Sequence, residues 1–411
     1  MKKNITDYFK SMSKLEVTEY LILAAISIVI PWSWELALNL FTPLVFVVTV
    51  RIIYNKHVGN PSLSKLNRWA LYMMMGFYLW QGVTLLWSSN LDYGWGFMKN
   101  RLPLLIMPLL LLCANTSYIT PLRRRGILYA FTASLMIKFL VRVIILIIEG
   151  KKFKFGGFFD TVHHTYMALY LVMALGFLYS EWANHRDKMP QGQKIGLGVA
   201  ALVLLLYDLA VSSRVGEIGA IIIFLCIVLH QIVRLRNRKL GLIILSGGLA
   251  TICITYFAVP ENDRRITKTV ENIQTTRSDE RIDIYECSVR AAINNLPFGV
   301  GIGDSLDELE IYYSKEGRDW TELNTHNIFL DSLLALGLPG LLLLLAMFTL
   351  PAVDGYRRRD FELLTLMLTI AICGMFESIL SRQMGLMFIV PMWYAIASSS
   401  PCLQTDSKDS Q

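Results

Sequence analysis

The residues best suited to chemistry stand where apolar segments begin. His326 and Asn327 lie at the start of the apolar run 327–350, directly after a long polar stretch. A neutral imidazole can accept a proton from a hydroxyl group near neutral pH, so His326 is a candidate general base. Asn327 could orient that imidazole, but asparagine also commonly caps helices, and a single histidine is often structural.

Three arginines could bind an anionic group. Arg214 lies at the tip of the short turn AVSSRVGEIG between two apolar runs, and Arg277 and Arg281 stand four residues apart in TRSDERIDIYE. A guanidinium fork can bind two phosphate oxygens at once, which a lysine cannot do. Simpler interpretations remain open: Arg214 can extend to the membrane interface, and the other two can pair with acidic neighbours along a helix.

A pair of adjacent histidines, His163 and His164, opens the apolar run 163–180. Adjacent histidines point in different directions on a helix, and no cysteine or carboxylate cluster near them completes a metal site. The six cysteines of the chain are scattered and show no metal-binding spacing. The sequence therefore predicts no metal centre, and we treat the two histidines as supporting residues of the candidate site.

Lys138 and Arg142 lie one helical turn apart inside the apolar run 126–149. Charged side chains are costly within lipid, so both should face the interior of a helical bundle or a wet cavity. Either they belong to an intramembrane ion-pair network, or they line a groove for a lipid linked through pyrophosphate. The nearby acidic residues that could pair with them are Asp208, Asp331 and Glu377.

The composition identifies the elements that must position these residues. Of the 411 residues, 54% are hydrophobic and 17% are charged, whereas about 25% of a soluble domain is charged. Apolar runs of about 18 or more residues recur along the chain, and such a run can cross a bilayer as a helix. The pattern predicts an all-α polytopic membrane protein with about twelve transmembrane helices. The predicted spans are 18–31, 35–53, 69–88, 97–114, 126–149, 163–180, 195–211, 216–233, 240–259, 327–350, 360–380 and 384–398.

Lysines and arginines indicate the orientation of these helices. Clusters such as those at 123–125 and 357–359 fall in alternate short loops, which predicts that both termini lie inside the cell. This places the Arg214 turn, the long loop and His326 on the outer face. Because the basic residues follow topology, they do not indicate nucleic-acid binding. The predicted regions are helices 1–9 in 1–259, an outer loop in 260–326, helices 10–12 in 327–398 and an inner tail in 399–411.

The long outer loop has helical periodicity. Apolar residues in SDERIDIYECSVRAAINN recur at Ile282, Tyr285, Val289 and Ala292, which predicts an amphipathic helix. Such a helix can lie on the membrane surface or cap the bundle.

The order of these motifs resembles the bacterial O-antigen ligase and polymerase superfamily. NLPFGVGIGDS, then THNIFLDSLLALGLPGLLLLL, is similar to its pattern of a G-x-G turn, a variable stretch and His-Asn opening a span with an internal G-x-x-G. The segment 85–112 also resembles the N-terminal half of such proteins. One departure is Ile328, where ligases often carry an acidic residue; Asp331, one turn further on, could substitute.

The resemblance implies transfer of a glycan from undecaprenyl pyrophosphate to an acceptor hydroxyl, without metal or cofactor, on the periplasmic face of a bacterial inner membrane. Arg214 and Arg281 match the arginines that bind the pyrophosphate, and His326 matches the catalytic histidine. The lead interpretation is an O-antigen ligase whose acceptor is lipid A-core. The alternatives are a surface-polysaccharide polymerase with a glycan acceptor, a protein O-oligosaccharyltransferase and, from another class, a transporter or lipid flippase.

Overall fold

A computed structural model describes residues 8–56, 58–150, 161–211, 213–234, 238–239, 242, 246 and 280–399. All regular secondary structure in these ranges is helical, which confirms the predicted all-α class there. Fourteen α-helices of 11 residues or more lie in this part of the chain. They are α1 Lys14–Val29, α2 Trp34–Asn55, α3 Lys65–Thr84, α4 Leu91–Arg101, α5 Pro103–Cys113, α6 Pro121–Ile148, α7 His164–His185, α8 Gln191–Val211, α9 Arg214–Leu229, α10 Glu280–Asn294, α11 Ser305–Lys315, α12 Ile328–Arg358, α13 Phe361–Gly374 and α14 Gln383–Ala397.

Seven stretches in the described ranges are long and apolar enough to cross a membrane. They comprise α2, α4 with α5, α6, α7, α8, the segment Val215–Ile232 and α12, while α13 and α14 are shorter apolar helices. The chain is therefore a multi-pass membrane protein. The count of twelve spans and the orientation remain predictions, and the predicted span 240–259 lies almost entirely outside the described residues.

The helix starts follow local capping chemistry. Ser13 caps α1 in a reciprocal capping box with Glu16, and Ser64 caps α3. Thr120 caps α6, whose first residue is Pro121. These side chains bond the free N–H groups of the first turn, and proline at the first helical position has no N–H to leave unpaired.

The centre of the bundle is formed by α7 and α14. In α7, 83% of the most apolar window is buried, against 28% in α2. Every residue of α14 from Gly385 to Ala397 is buried. The residues that cap the starts of these two helices, His163 and Arg382, are exposed.

Buried ion pairs tie the outer helices to this centre. Arg51 on α2 contacts Glu19 on α1 at 2.7 Å, and Tyr394 of α14 donates a hydrogen bond to the same carboxylate. Arg124 on α6 contacts Asp360 at 2.8 Å. The basic cluster at 123–125 therefore has buried structural partners in addition to its predicted role in topology.

Helix α12 is broken at Gly337, where the backbone has φ +66° and ψ −162°. The loop that follows α10 docks into this break. The N–H groups of Val300 and Gly301 donate to the carbonyls of Leu334 and Ala335, each at 2.9 Å, and Leu338 N–H donates to Pro297 at 2.8 Å. Backbone groups freed by a break in a membrane helix must be bonded within the protein, and this loop bonds them.

The predicted amphipathic helix is α10. Ile284, Cys287 and Ala291 pack against α11 and the first half of α12 in a small separate core. Of the apolar residues that predicted this helix, Ala292 is buried in the same core, whereas Ile282 and Val289 are 59% and 39% exposed.

Candidate functional site

His326 occupies a tight turn immediately before α12. Its backbone is left-handed, with φ +46°, a conformation that is strained for a residue with a side chain. The Asn324 side chain accepts a hydrogen bond from the His326 N–H at 3.0 Å. The buried Thr325 hydroxyl accepts one from the Asn327 N–H at 3.2 Å. Two side chains thus hold the turn, and they fix the point from which the imidazole projects.

Asn327 is the N-cap of α12. Its side-chain oxygen accepts hydrogen bonds from the N–H groups of Phe329 at 2.9 Å and Leu330 at 3.1 Å. Its amide nitrogen donates to the carbonyl of Met375 at 3.2 Å. Both ends of the Asn327 amide are occupied in starting α12 and joining it to the end of α13, and no bond from this amide to the His326 ring occurs in the described part of the chain.

The acidic partner of His326 is Glu377, which lies just beyond α13. The distance from His326 Nδ1 to Glu377 Oε2 is 3.6 Å, slightly longer than a hydrogen bond. A small rotation of either side chain would close it, and catalytic hydrogen bonds are often long before substrate binds. The earlier expectation that Glu377 partners Lys138 or Arg142 is not what the structure shows, because its carboxylate faces the imidazole instead.

Two histidines and an arginine lie near the Glu377 carboxylate. Burial raises the pKa of Glu377, but interactions with His326, His163 and Arg382 outweigh burial and hold this pKa below its ordinary value. The carboxylate is therefore ionised at neutral pH. His163 stands at the start of α7 and Arg382 at the start of α14, so the site draws on the ends of three helices.

Arg281 lies in the first turn of α10 and is half-buried. Its charge acts on both His163 and Tyr285. The Tyr285 hydroxyl donates to the Met375 carbonyl at 2.8 Å, the same carbonyl that bonds the Asn327 amide. The start of α10 is thus fastened beside the His326 turn, so Arg281 lies in the neighbourhood of His163, and its binding of pyrophosphate stays a prediction.

Arg214 is the first residue of α9, and its side chain lies outside what the structure describes. Its backbone position is informative. A Cβ on Gly216 would come within 2.7 Å of Ala168 Cβ, so the start of α9 packs directly against the first turn of α7. The helix start that carries Arg214 and the one that carries His163 are therefore neighbours. Arg277 lies outside the described residues.

The match to a known family covers these same motifs. The family model described as O-antigen ligase matches residues 199–345, a range that contains Arg214, Arg281 and His326. This match over part of the chain supports membership of the O-antigen ligase superfamily. A comparison with curated proteins found no match. His163, Glu377 and Arg382 fall outside the matched range of the ligase family, and the structure adds them to the site.

The glycines of the ligase-type motif serve close backbone packing. A Cβ on Gly337 would lie 2.1 Å from the Pro297 carbonyl oxygen, and one on Gly299 would lie 2.6 Å from Gly337 N. Gly301, with φ +97°, leaves no room for a Cβ beside Ser88. The G-x-G turn and the break in α12 thus pack against each other, and this contact holds the loop that follows α10 against the helix that His326 precedes.

Two other charged residues, whose roles the sequence left open, have buried partners in the structure. The Lys138 ammonium is buried, donates to the Pro31 carbonyl at 2.7 Å and lies over the Trp32 ring. It therefore fastens the hairpin between α1 and α2. Asp331, proposed as a partner for Lys138 or Arg142 and as a substitute acid of the ligase motif, instead contacts Arg101 at 3.3 Å.

Arg101, the last residue of α4, was not singled out in the sequence. It is 2% exposed, and its guanidinium donates to Gln81 at 3.1 Å, to the Leu380 carbonyl at 3.1 Å and to the Ser381 hydroxyl at 2.8 Å. Together with its Asp331 contact, these bonds join the start of α12 to the turn before Arg382. Arg101 thus fixes the start of α12 relative to the turn that precedes Arg382.

His163 and His164 lie with ring centroids 4.0 Å apart. His163 is the residue that faces the site, through its charge interactions with Glu377 and His326. Within the described ranges, no group of three or more histidine, cysteine or acidic residues is arranged to hold a metal ion.

Proposed function

We propose that this protein is an O-antigen ligase that transfers a surface glycan from undecaprenyl pyrophosphate to a hydroxyl of lipid A-core. Membership of the ligase superfamily supports a glycan-transferring enzyme of the ligase or polymerase type. The observation that carries the proposal to a mechanism is the pair of His326 and Glu377 at the start of α12, with Arg281 close enough for its charge to act on the neighbouring His163. At such a site, the reacting groups of both substrates must lie at the boundary between membrane and water.

The reaction needs one proton transfer and stabilisation of one leaving group. His326 removes the proton from the acceptor hydroxyl, and the oxygen attacks the anomeric carbon of the donor. The bond from that carbon to the pyrophosphate oxygen breaks, and the lipid pyrophosphate leaves with the electron pair. The proton ends on the imidazole of His326.

Arg281 and Arg214 are assigned to the pyrophosphate. A guanidinium can bind two phosphate oxygens and stabilise the negative charge that develops as the glycosidic bond breaks. The start of α10 supports this role for Arg281, since Tyr285 holds it beside the His326 turn. The packing of the start of α9 against α7 supports the same role for Arg214.

The proposed setting is the inner membrane of a bacterium, with the site on the periplasmic face. The two substrates are anchored in lipid, the donor by its polyprenyl chain and the acceptor by its acyl chains, so their reacting groups meet at the membrane boundary. His326 stands between a polar segment and the apolar helix α12, which is where such a base would be needed.

The test is a lipopolysaccharide gel of a strain that lacks the protein, complemented with wild type or with His326→Ala. The proposal predicts bare lipid A-core in the deletion strain, polymer accumulated on the lipid carrier, and rescue by wild type alone. Asp319→Asn, which alters an exposed residue of the same outer segment, is the control and should rescue fully.

Other outcomes of this gel would reassign the protein. Core that carries a single repeat unit would identify a polymerase instead of a ligase. An unchanged ladder in the deletion strain would contradict both enzymes and favour a transporter. Full rescue by His326→Ala would contradict the assignment of the base.

A further inference from the structure

Glu377 is a buried carboxylate that the ligase motifs do not include. It is 8% exposed and stands between the end of α13 and the 3₁₀ turn Ile379–Ser381. Its ion-pair partner among the described residues is His326, with Nδ1 and Oε2 3.6 Å apart. A carboxylate is expensive to bury unless a partner offsets the cost, so its place beside the imidazole requires an explanation.

The charged and titratable groups around the Glu377 carboxylate come from four segments of the chain. His326 precedes α12, His163 stands at the start of α7 and Arg382 at the start of α14. The Tyr166 and Tyr285 hydroxyls also interact with Glu377, from α7 and α10. Arg281 acts on His163 from the start of α10. Among all of these groups, His326 is the one whose ring nitrogen lies within ion-pair distance of the Glu377 carboxylate.

We propose that Glu377 is a positioning residue for His326: its carboxylate holds the imidazole with the proton on Nδ1, so that Nε2 faces the acceptor hydroxyl as a base. This inference rests on the proposed function. The reasoning is that of other histidine bases, in which an acidic residue at one ring nitrogen fixes the tautomer and stabilises the imidazolium formed when the other nitrogen takes a proton.

The surroundings of Glu377 support this role. Asn327 is committed to capping α12 and to the Met375 carbonyl, so it does not supply the second contact that would orient the ring. The backbone of His326 is fixed by Asn324 and Thr325, which leaves rotation of the side chain as the freedom that remains. Glu377 lies where it restricts that rotation.

The experiment measures transfer by purified full-length protein in lipid nanodiscs. The donor is a polyprenyl-pyrophosphate-linked glycan and the acceptor is a lipid A-core glycolipid. Rates are determined between pH 5 and pH 9 for wild type, Glu377→Gln, Glu377→Asp, His326→Ala and the double variant His326→Ala with Glu377→Gln. Asp319→Asn again serves as the control, because it removes a carboxylate charge that is exposed to solvent.

The expected result for Glu377→Gln is a kcat about 100-fold lower, with KM for both substrates within about twofold of wild type. The acidic limb of its rate profile should move to lower pH, because the carboxylate that stabilised the imidazolium is gone. Glu377→Asp should recover about tenfold of the lost rate. The double variant should be no slower than His326→Ala alone, since Glu377 acts through His326.

Different results would contradict the positioning role of Glu377 and the proposed function. If Glu377→Gln keeps the wild-type kcat and profile while His326→Ala is inactive, the positioning role is wrong and the proposed function stands. The positioning role is also wrong if Glu377→Gln and His326→Ala lower kcat independently, or if a lower rate comes with an unmoved profile. If wild type transfers no glycan, or His326→Ala transfers it at the wild-type rate, the proposed function itself fails.

Discussion

At the scale of single residues, the sequence placed His326 and Arg281 in a site, and the structure brings both to one region. It could not show that Glu377 is the acidic partner of His326, because 51 positions separate them and only the packing of α13 against α12 brings them together. The motif also did not tell whether Asn327 orients the imidazole or caps the helix. Its cap geometry shows that both ends of the amide are bonded to backbone groups.

The role of Asn327 gives a prediction that separates structure from catalysis. Asn327→Ala removes the cap of α12 and should lower the free energy of unfolding by about 1 kcal/mol. The pH profile of glycan transfer should stay unchanged, because the His326 ring keeps its Glu377 partner. Thermal unfolding and rate profiles of the same nanodisc samples would check this. A shifted profile would show that Asn327 also orients the imidazole.

Arg281 gives a second prediction at this scale. Arg281→Lys keeps the charge but loses the planar fork that binds two phosphate oxygens. We expect kcat/KM for the pyrophosphate-linked donor to fall about tenfold, and Arg281→Ala to cost about tenfold more. Titration of donor at fixed acceptor would measure both. Equal activity of the lysine variant and wild type would argue against a bidentate phosphate contact.

At the scale of elements, the apolar runs predicted the helices well, because burial in lipid and in the bundle core both require continuous apolar helices. The break of α12 at Gly337 was not predicted. The G-x-x-G pattern shows that small residues are needed, but the partner of the break, the loop at Pro297–Gly301, is set by tertiary packing. Apolar periodicity likewise predicted α10, but it does not tell which residues of this helix meet α12.

The break in α12 can be tested by adding a single Cβ. Gly337→Ala places a Cβ 2.1 Å from the Pro297 oxygen at a backbone φ of +66°, so we expect destabilisation by about 2 kcal/mol or more and loss of transfer. The matched control is Gly198→Ala on α8, where nothing lies within 4 Å of a Cβ, and which should be neutral or slightly stabilising. Similar melting temperatures for the two variants would contradict the close packing of loop and break.

The buried pair of Arg101 and Asp331 gives another prediction for the elements. Arg101→Met leaves Asp331 buried without its cation and should lower the free energy of unfolding by about 3–5 kcal/mol. Adding Asp331→Leu should recover part of that loss, because no uncompensated charge then remains. Unfolding of the single and double variants in one detergent would measure the coupling. If the double variant were less stable than Arg101→Met, the pair would have another function.

At the scale of the whole molecule, the decisive question is which face of the membrane carries the site. The clusters of lysine and arginine predict that both termini lie inside and that 260–326 lies outside. In a cysteine-free background, a membrane-impermeant thiol reagent should label Asp319→Cys in intact cells. It should label Lys188→Cys, in the turn between α7 and α8, only after permeabilisation. The opposite pattern would reverse the topology.

The central claim is that His326 acts as the base in transfer of a glycan from a lipid pyrophosphate, and reconstituted transfer tests it most directly. Wild type and His326→Ala would be compared in nanodiscs with labelled polyprenyl-pyrophosphate-linked glycan and lipid A-core acceptor, and the labelled glycolipid product would be quantified. We predict a rate about 10²- to 10⁴-fold lower for His326→Ala at equal folded protein. Product formed at the same rate by both proteins would contradict the claim.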